Sequence, residues 1–290
     1  MKRNILKTIG QCVRPLSQII FFILFPGLFS SAFSAVKTVA FQIARRQPLE
    51  MSTAILTLLL LLAFTFVFGR FFCGMVCSFG ALGDLVFSLG EAVRKKFRIG
   101  RIKLSKRGEY ILSYLKYIIL LSILVLSYLQ MQRQLHGKSP WDAFATLISG
   151  SPRFRGYEVG FVILFFLIIG MGLIPRFFCR FFCPLGAIFA ILPPPLIPLK
   201  KPAKASLIHR ACGGCQICTK ACPACLDLNK IESPMDVVRS GECFRCMKCA
   251  EVCPQKKPAL HLLVFRLPLI PAIVLILLLF IILLKVFGLI

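Results

Sequence analysis

Two runs of cysteine near the C-terminal end are spaced for metal chemistry. They read Cys212-x2-Cys215-x2-Cys218-x3-Cys222-Pro223 and Cys243-x2-Cys246-x2-Cys249-x3-Cys253-Pro254. Three thiolates at that spacing wrap one iron–sulfur cube, and the fourth reaches across to a second cube. The pair of runs therefore predicts two [4Fe–4S] clusters with exchanged fourth ligands. Cys212, Cys215, Cys218 and Cys253 would hold the first, and Cys243, Cys246, Cys249 and Cys222 the second. A zinc site or a disulfide framework has no need of two complete runs, each closed by proline.

A second cysteine set lies upstream in a duplicated motif. Residues 70–82 and 176–188 both read Arg-Phe-Phe-Cys-x3-Cys-x2-Gly-Ala-(Leu/Ile). On one continuous helix, positions i and i+4 share a face, so each copy would present two sulfurs together. Cys73, Cys77, Cys179 and Cys183 could then build a third metal centre, iron–sulfur or zinc, or a thiol/disulfide relay. They could also be packing residues, since a cysteine thiol often behaves as a small hydrophobe. The copies are not identical: Pro184 follows Cys183, whereas Ser78 follows Cys77. Cys12 and Cys225 lie outside both sets and are read as incidental.

The remaining chemistry is sparse. The chain has three histidines, His136, His209 and His261, none of them in an apolar stretch. A bis-histidine haem inside a bilayer is thereby excluded. A quinone site needs an apolar slot and an acid/base pair, and His136 with Asp142 is the candidate. The stretch 141–148 reads as an amphipathic segment with Trp141 at an interface. Lys116 is a lone charge inside an apolar run and is expected to snorkel toward the polar boundary. No phosphate-binding glycine loop, dinucleotide fingerprint or nucleophile triad is present.

The elements that must carry these residues are apolar. Hydrophobic residues make up 58% of the 290 residues, and mean hydropathy is +0.82, which is membrane-protein composition. Five stretches approach the 20 or so residues that cross a bilayer as helix: 19–39, 53–72, 111–129, 159–174 and 267–287. Pro26 and Gly27 interrupt the first. The expected fold is an α-helical polytopic membrane protein of about five transmembrane helices, arranged as two related hairpins, with a small α+β bacterial-ferredoxin-like domain. Residues 1–191 would form the membrane core, 192–204 a proline-rich tether, 205–262 the two-cluster domain and 263–290 a C-terminal transmembrane helix. The N-terminal apolar stretch is expected to stay uncleaved.

The net charge of +25 does not point to nucleic acid. Basic residues concentrate at 2–14, at 94–107 and in the cluster domain, on one side of the expected spans. The positive-inside rule makes that side cytoplasmic, as do thiolates that need a reducing compartment. The location implied is the inner membrane, multi-pass, with lipid as a partner. A cluster at the cytoplasmic surface is about 30 Å of hydrocarbon from the other face. Electrons crossing that span need a quinone, a further bound centre or a partner protein.

The combination resembles the NapH-type membrane polyferredoxins of periplasmic nitrate reductase systems. It is similar also to NosR-type regulators of nitrous oxide reduction and to proteins of organohalide respiration. Cys73/Cys77, Cys179/Cys183-Pro184 and the two cluster runs carry the resemblance, over roughly residues 50–262. It implies membrane electron transfer, with quinol oxidation feeding an outer acceptor, and any outer flavin belonging to a partner flavoprotein. The leading reading is an electron-transfer protein joining a cytoplasmic donor or acceptor, quinone and an outer-face partner. The alternative is an assembly or maturation factor that uses its clusters to insert or reduce metal in a respiratory enzyme. A redox-sensing regulator would want an output domain.

Overall fold

A computed structural model describes residues 14–48, 50–98, 100, 104–129, 131, 139–148, 154–192, 216–226, 241–246, 248–252, 261–262, 265–266 and 269–286. The architecture is helical. Its first helices are α1 (Arg14–Leu24), α2 (Leu28–Ala44), α3 (Thr53–Phe68), α4 (Phe71–Met75), α5 (Ser78–Lys96) and α6 (Lys106–Tyr128). There follow α7 (Pro140–Ile148), α8 (Glu158–Leu173), α9 (Phe177–Phe181), α10 (Pro184–Ile191), α11 (Ile217–Ala221), α12 (Lys248–Glu251) and α13 (Leu269–Val286). A short antiparallel ladder, β1 (His261–Leu262) with β2 (Phe265–Arg266), pairs His261 with Arg266 and Leu262 with Phe265.

The helix boundaries follow local chemistry. Proline cannot donate a backbone hydrogen bond, and at Pro26 the first apolar stretch breaks: α1 and α2 meet at 65°. The expected helix over 19–39 is thus two helices. Ser52 caps α3, accepting from the Ile55 N–H at 3.3 Å, and Ser139 caps α7 through the Asp142 N–H at 3.3 Å. Serine is a preferred cap because its oxygen satisfies an orphan donor. Pro140 and Pro184 each occupy a first helical position, where the missing N–H costs nothing.

The expected span over 53–72 stops early. Gly69 turns left-handed at φ +67°, and its N–H donates to the Thr65 carbonyl at 2.7 Å, a helix stop that glycine permits without strain. The span expected over 159–174 ends at Leu173 in the same region of the second copy. There Arg176 takes the left-handed conformation at φ 55° before α9 begins.

Among the described residues one helix is long and apolar enough to cross a membrane, at Arg107–Tyr128, or two if the bent α1/α2 pair is one span. Three shorter apolar helices accompany them, at Thr53–Phe66, Glu158–Leu173 and Ile276–Val286.

The chain divides into two compact units. One comprises Met1–Ile20, Leu62–Val76 and Ile188–Ile290, and the other Phe21–Leu61 and Cys77–Ala187. In the second unit α5 packs on α8, α7 on α8, and α2 on α6. Gly90 makes the α5–α8 approach close, since a Cβ there would meet the Gly172 carbonyl oxygen at 2.5 Å. Beside it, Arg94 donates to that same carbonyl at 2.7 Å.

An aromatic cluster fills the centre of this unit. Phe79 lies 4.6 Å from Phe178, 5.2 Å from Phe29 and 4.3 Å from Phe144, centroid to centroid. Trp141 joins it edge-on to Phe33 at 4.9 Å. Trp141 is therefore a buried core residue and not an interfacial anchor. Lys116 is a second correction. It does not snorkel: it is 0% exposed, with Nζ 5.1 Å from the Tyr117 ring.

Candidate iron–sulfur site

In the first unit, the described cysteines of the two runs are Cys218, Cys222, Cys243, Cys246 and Cys249. Cys222 belongs to the first run, yet its thiol lies near enough to Cys243 and Cys246 of the second for each to act on it electrostatically. Burial, chiefly, pushes the Cys222 thiol up to about 11. The backbone around Leu226 and Ala224 pulls the other way by hydrogen bonding, and the two neighbouring thiols add to the rise. Cys243 is likewise pushed up by burial, while Arg245 and Arg70 oppose the shift. The helices that flank these ligands, α11 and α12, pack against one another.

This environment fits a cluster. Thiols crowded out of water are costly to ionise alone, and iron supplies the charge that stabilises them as thiolates. Among the described residues no three His, Cys, Asp or Glu side chains converge as a single metal ion would need. A cube holds its ligands further apart than one ion does. Of the first ligand set only Cys218 is described, half-buried within α11. Cys212, Cys215 and Cys253 lie outside the described residues, as does Cys12. Cys225 is exposed, with its N–H donating to the Cys222 carbonyl at 3.1 Å.

The ligand loop 241–246 is seated on the first copy of the duplicated motif. Arg70, 2% exposed, donates to the Gly241 carbonyl at 3.1 Å and to Glu242 Oε2 at 3.0 Å. Its guanidinium lies 4.8 Å from the centre of the Phe244 ring. Arg245 rests on Gly69, where a Cβ would meet its Nε at 2.6 Å. A Cβ on Gly74 would collide with the Phe244 carbonyl oxygen and lie 3.3 Å from the Cys246 nitrogen. Ser17 and Gln18 of α1 brace the same motif, donating to the Met75 and Gly74 carbonyls at 2.9 and 3.2 Å.

The duplicated cysteines do not ride on continuous helices. Cys73 lies in α4 and Cys179 in α9, each of five residues. The chain then breaks, and Cys77 becomes the N-cap position of α5. Cys183 sits at the equivalent head of α10, where its Sγ accepts the Gly186 N–H at 3.1 Å. The i, i+4 geometry expected of a helix is therefore replaced by a helix–break–helix. All four cysteines are buried.

The second copy has its own arginine lock. Arg176 reaches Asp84 with both ends of its guanidinium, Nε to Oδ1 at 2.9 Å and Nη2 to Oδ2 at 2.5 Å. Arg180 pairs with Glu109 at 3.4 Å. No local pattern in the sequence names a partner for either motif arginine. The signal available was the scarcity of acid, 11 carboxylates against 36 basic residues, which makes each buried pair conspicuous. The proposed acid/base pair fares differently. Asp142 is 3.8 Å from Lys37 Nζ, so its charged neighbour is a lysine of α2, and His136 lies outside the described residues.

Residues 52–100 and 159–194 match the family described as 4Fe-4S binding domain. The matched segments hold the two Cys-x3-Cys copies and lie upstream of the two cluster runs. The chain is 30% identical over 253 residues to the uncharacterized protein MJ0750 of Methanocaldococcus jannaschii, covering 86% of this chain and 94% of that one. It is 25% identical to the ferredoxin-type protein NapH of Haemophilus influenzae, over 73% of this chain and 69% of the relative. The regulatory protein NosR of Pseudomonas aeruginosa is 31% identical over 61% of this chain, though that stretch is 23% of NosR. The chain belongs to the family of NapH- and NosR-type iron–sulfur proteins. No solved structure matches it.

Proposed function

We propose that this NapH/NosR-type protein is a membrane-bound electron-transfer component. Its two cysteine runs would hold two [4Fe–4S] clusters on the cytoplasmic side, and its membrane helices would exchange electrons with quinone or an outer-face redox partner. The observation that carries the cluster reading is the pair of complete Cys-x2-Cys-x2-Cys-x3-Cys-Pro runs, beside the upstream match to a 4Fe-4S binding domain. Such a group supplies one-electron transfer when bound. The protein's part is to bury the ligands, to fix the loop 241–246 on the Gly69–Met75 segment through Arg70, and to anchor the assembly.

Exposed apolar surface supports the membrane reading. Only 17% of the most apolar window of α6 is buried. Ile118, Leu121 and Val125 point outward from it, as do Val162, Phe165, Phe166 and Ile169 from α8. A contiguous apolar surface of that kind marks contact with lipid or partner protein.

The test is anaerobic purification from the detergent-extracted membrane fraction. About eight iron per chain are expected, since each cube holds four. Cys215→Ser should cost one cluster, and Cys246→Ser the other. Reduced protein should reoxidise when a quinone analogue is added. A zinc-loaded, iron-free and active protein would sink the cluster reading. Normal electron flow alongside a respiratory enzyme that lacks its metal would favour a maturation factor instead.

A further inference from the structure

Three arginines of the second unit are buried, and two of them bring an acid. Arg176 has Asp84 and Arg180 has Glu109. Arg94, near the C-terminal end of α5, is 7% exposed, and among the described residues no carboxylate pairs with it. Its Nη1 donates to the Gly172 and Leu173 carbonyls at 2.7 and 3.4 Å, the acceptors that the end of α8 leaves free. Its Nε and Nη2 are buried without a hydrogen-bond partner. A buried charge without a counter-ion is costly, so what this end of α5 lacks is an anion. Lys95, Lys96 and Arg98 follow at once, all exposed. One face of α5 is spent on α8, through Gly90 against the Gly172 carbonyl and Val86 against Gly172. On another face Leu85, Leu89 and Val93, at i, i+4 and i+8, are exposed, and Phe97 continues the stripe just past the helix.

We infer that the C-terminal end of α5 binds the headgroup of an anionic phospholipid. The inference rests on the membrane reading proposed above. The phosphate supplies the counter-ion that Arg94 lacks, and charge-assisted bonds to phosphate oxygens are among the stronger hydrogen bonds. Lys95, Lys96 and Arg98 surround it with further positive charge. The basic last turn of α5 also opposes its own helix dipole, but that role needs neither a buried arginine nor an apolar stripe. The stripe Leu85–Leu89–Val93–Phe97 suits the acyl chains, and this selects a lipid over a free phosphate. Arg94 is the fixed member of the site, held by the end of α8, while the three exposed cations complete it.

The experiment is thermal unfolding of the full-length, anaerobically purified protein in a neutral detergent. It is titrated separately with phosphatidylglycerol, phosphatidylcholine and inorganic phosphate. A ligand that binds only the folded state raises the midpoint. Phosphatidylglycerol should raise it saturably, at concentrations at least tenfold below those phosphatidylcholine needs, and inorganic phosphate should leave it in place. The triple variant Lys95→Gln/Lys96→Gln/Arg98→Gln should need at least tenfold more phosphatidylglycerol, since each basic residue at an anionic surface adds several-fold to binding. Lys200→Gln/Lys201→Gln/Lys204→Gln removes the same charge elsewhere and should respond as wild type. Arg94→Gln should blunt the rise, and a full response in a folded Arg94→Gln overturns its part in the site. If Arg94→Gln does not fold, the surface triple variant decides. Equal responses to the two lipids, or to phosphatidylglycerol and inorganic phosphate, overturn the inference. So does equal weakening in the two triple variants, because net charge is then the cause, and so does a wild-type response in the α5 triple variant. A protein recovered in the soluble fraction without detergent would overturn the membrane reading itself.

Discussion

Two arginines at matching positions of a duplicated motif do matching work with different acids. Arg70 takes Glu242, and Arg176 takes Asp84. Each guanidinium is almost wholly out of water, where a charge without its counter-ion is costly. Asp84→Asn should destabilise the protein by about 3 kcal/mol, read as a lower unfolding midpoint in detergent. Asp84→Asn combined with Arg176→Met should recover much of that loss, because the stranded charge goes with its partner. Recovery would be absent if Arg176 were held by packing alone. At this scale the sequence was legible for the family, since the segments that match the 4Fe-4S binding domain hold both Cys-x3-Cys copies. It was not legible for Trp141 or Lys116. Tertiary contacts decide whether a tryptophan at a helix start faces lipid or Phe33, and no local pattern records them.

The short helices α4 and α9 show where local pattern misled and why. Cys-x3-Cys suits a helix face, and that spacing is what suggests one continuous helix in each copy. Yet Gly69 and Arg176 adopt left-handed conformations just before each five-residue helix, and a break precedes the second cysteine of each pair. The motif bends the chain, its arginine reaches a distant acid, and the i, i+4 spacing does not record that turn. The close approaches around these elements can be tested separately. Gly74→Ala would press a methyl into the Phe244 carbonyl, so the ligand loop should lift and the second cluster should be lost while the first remains. Iron analysis would show about half the wild-type content. Gly90→Ala would press instead on Gly172. Overpacking of this sort costs about 1–3 kcal/mol, so the melting midpoint should fall with iron content unchanged. If both variants behave alike, the separate roles assigned to these glycines are wrong.

For the molecule as a whole, the basic residues at 94–107 set the expected orientation. A reporter fused after Lys204 should read cytoplasmic, and one inserted near Gly137 should read external. An external signal at Lys204 would overturn the cytoplasmic placement of the clusters. Helical architecture was legible from the apolar runs; five spans were not, since among the described residues one helix, or two with the bent pair, is long and apolar enough to cross a membrane. The break in the first run is a different matter, and its repair is written 52 residues away: Ser78 Oγ donates to the Pro26 carbonyl at 3.3 Å. The second copy of the motif carries Pro184 at the same place. A proline at 78 would suit the start of α5 as well as Pro184 suits α10, but it would abandon the Pro26 carbonyl. The two copies have thus become non-interchangeable parts. Ser78→Pro should therefore lower the melting midpoint, by the ~1 kcal/mol of a lost hydrogen bond, while Ser78→Thr should not, which makes an ordinary serine the mark that tells one duplicated half from the other.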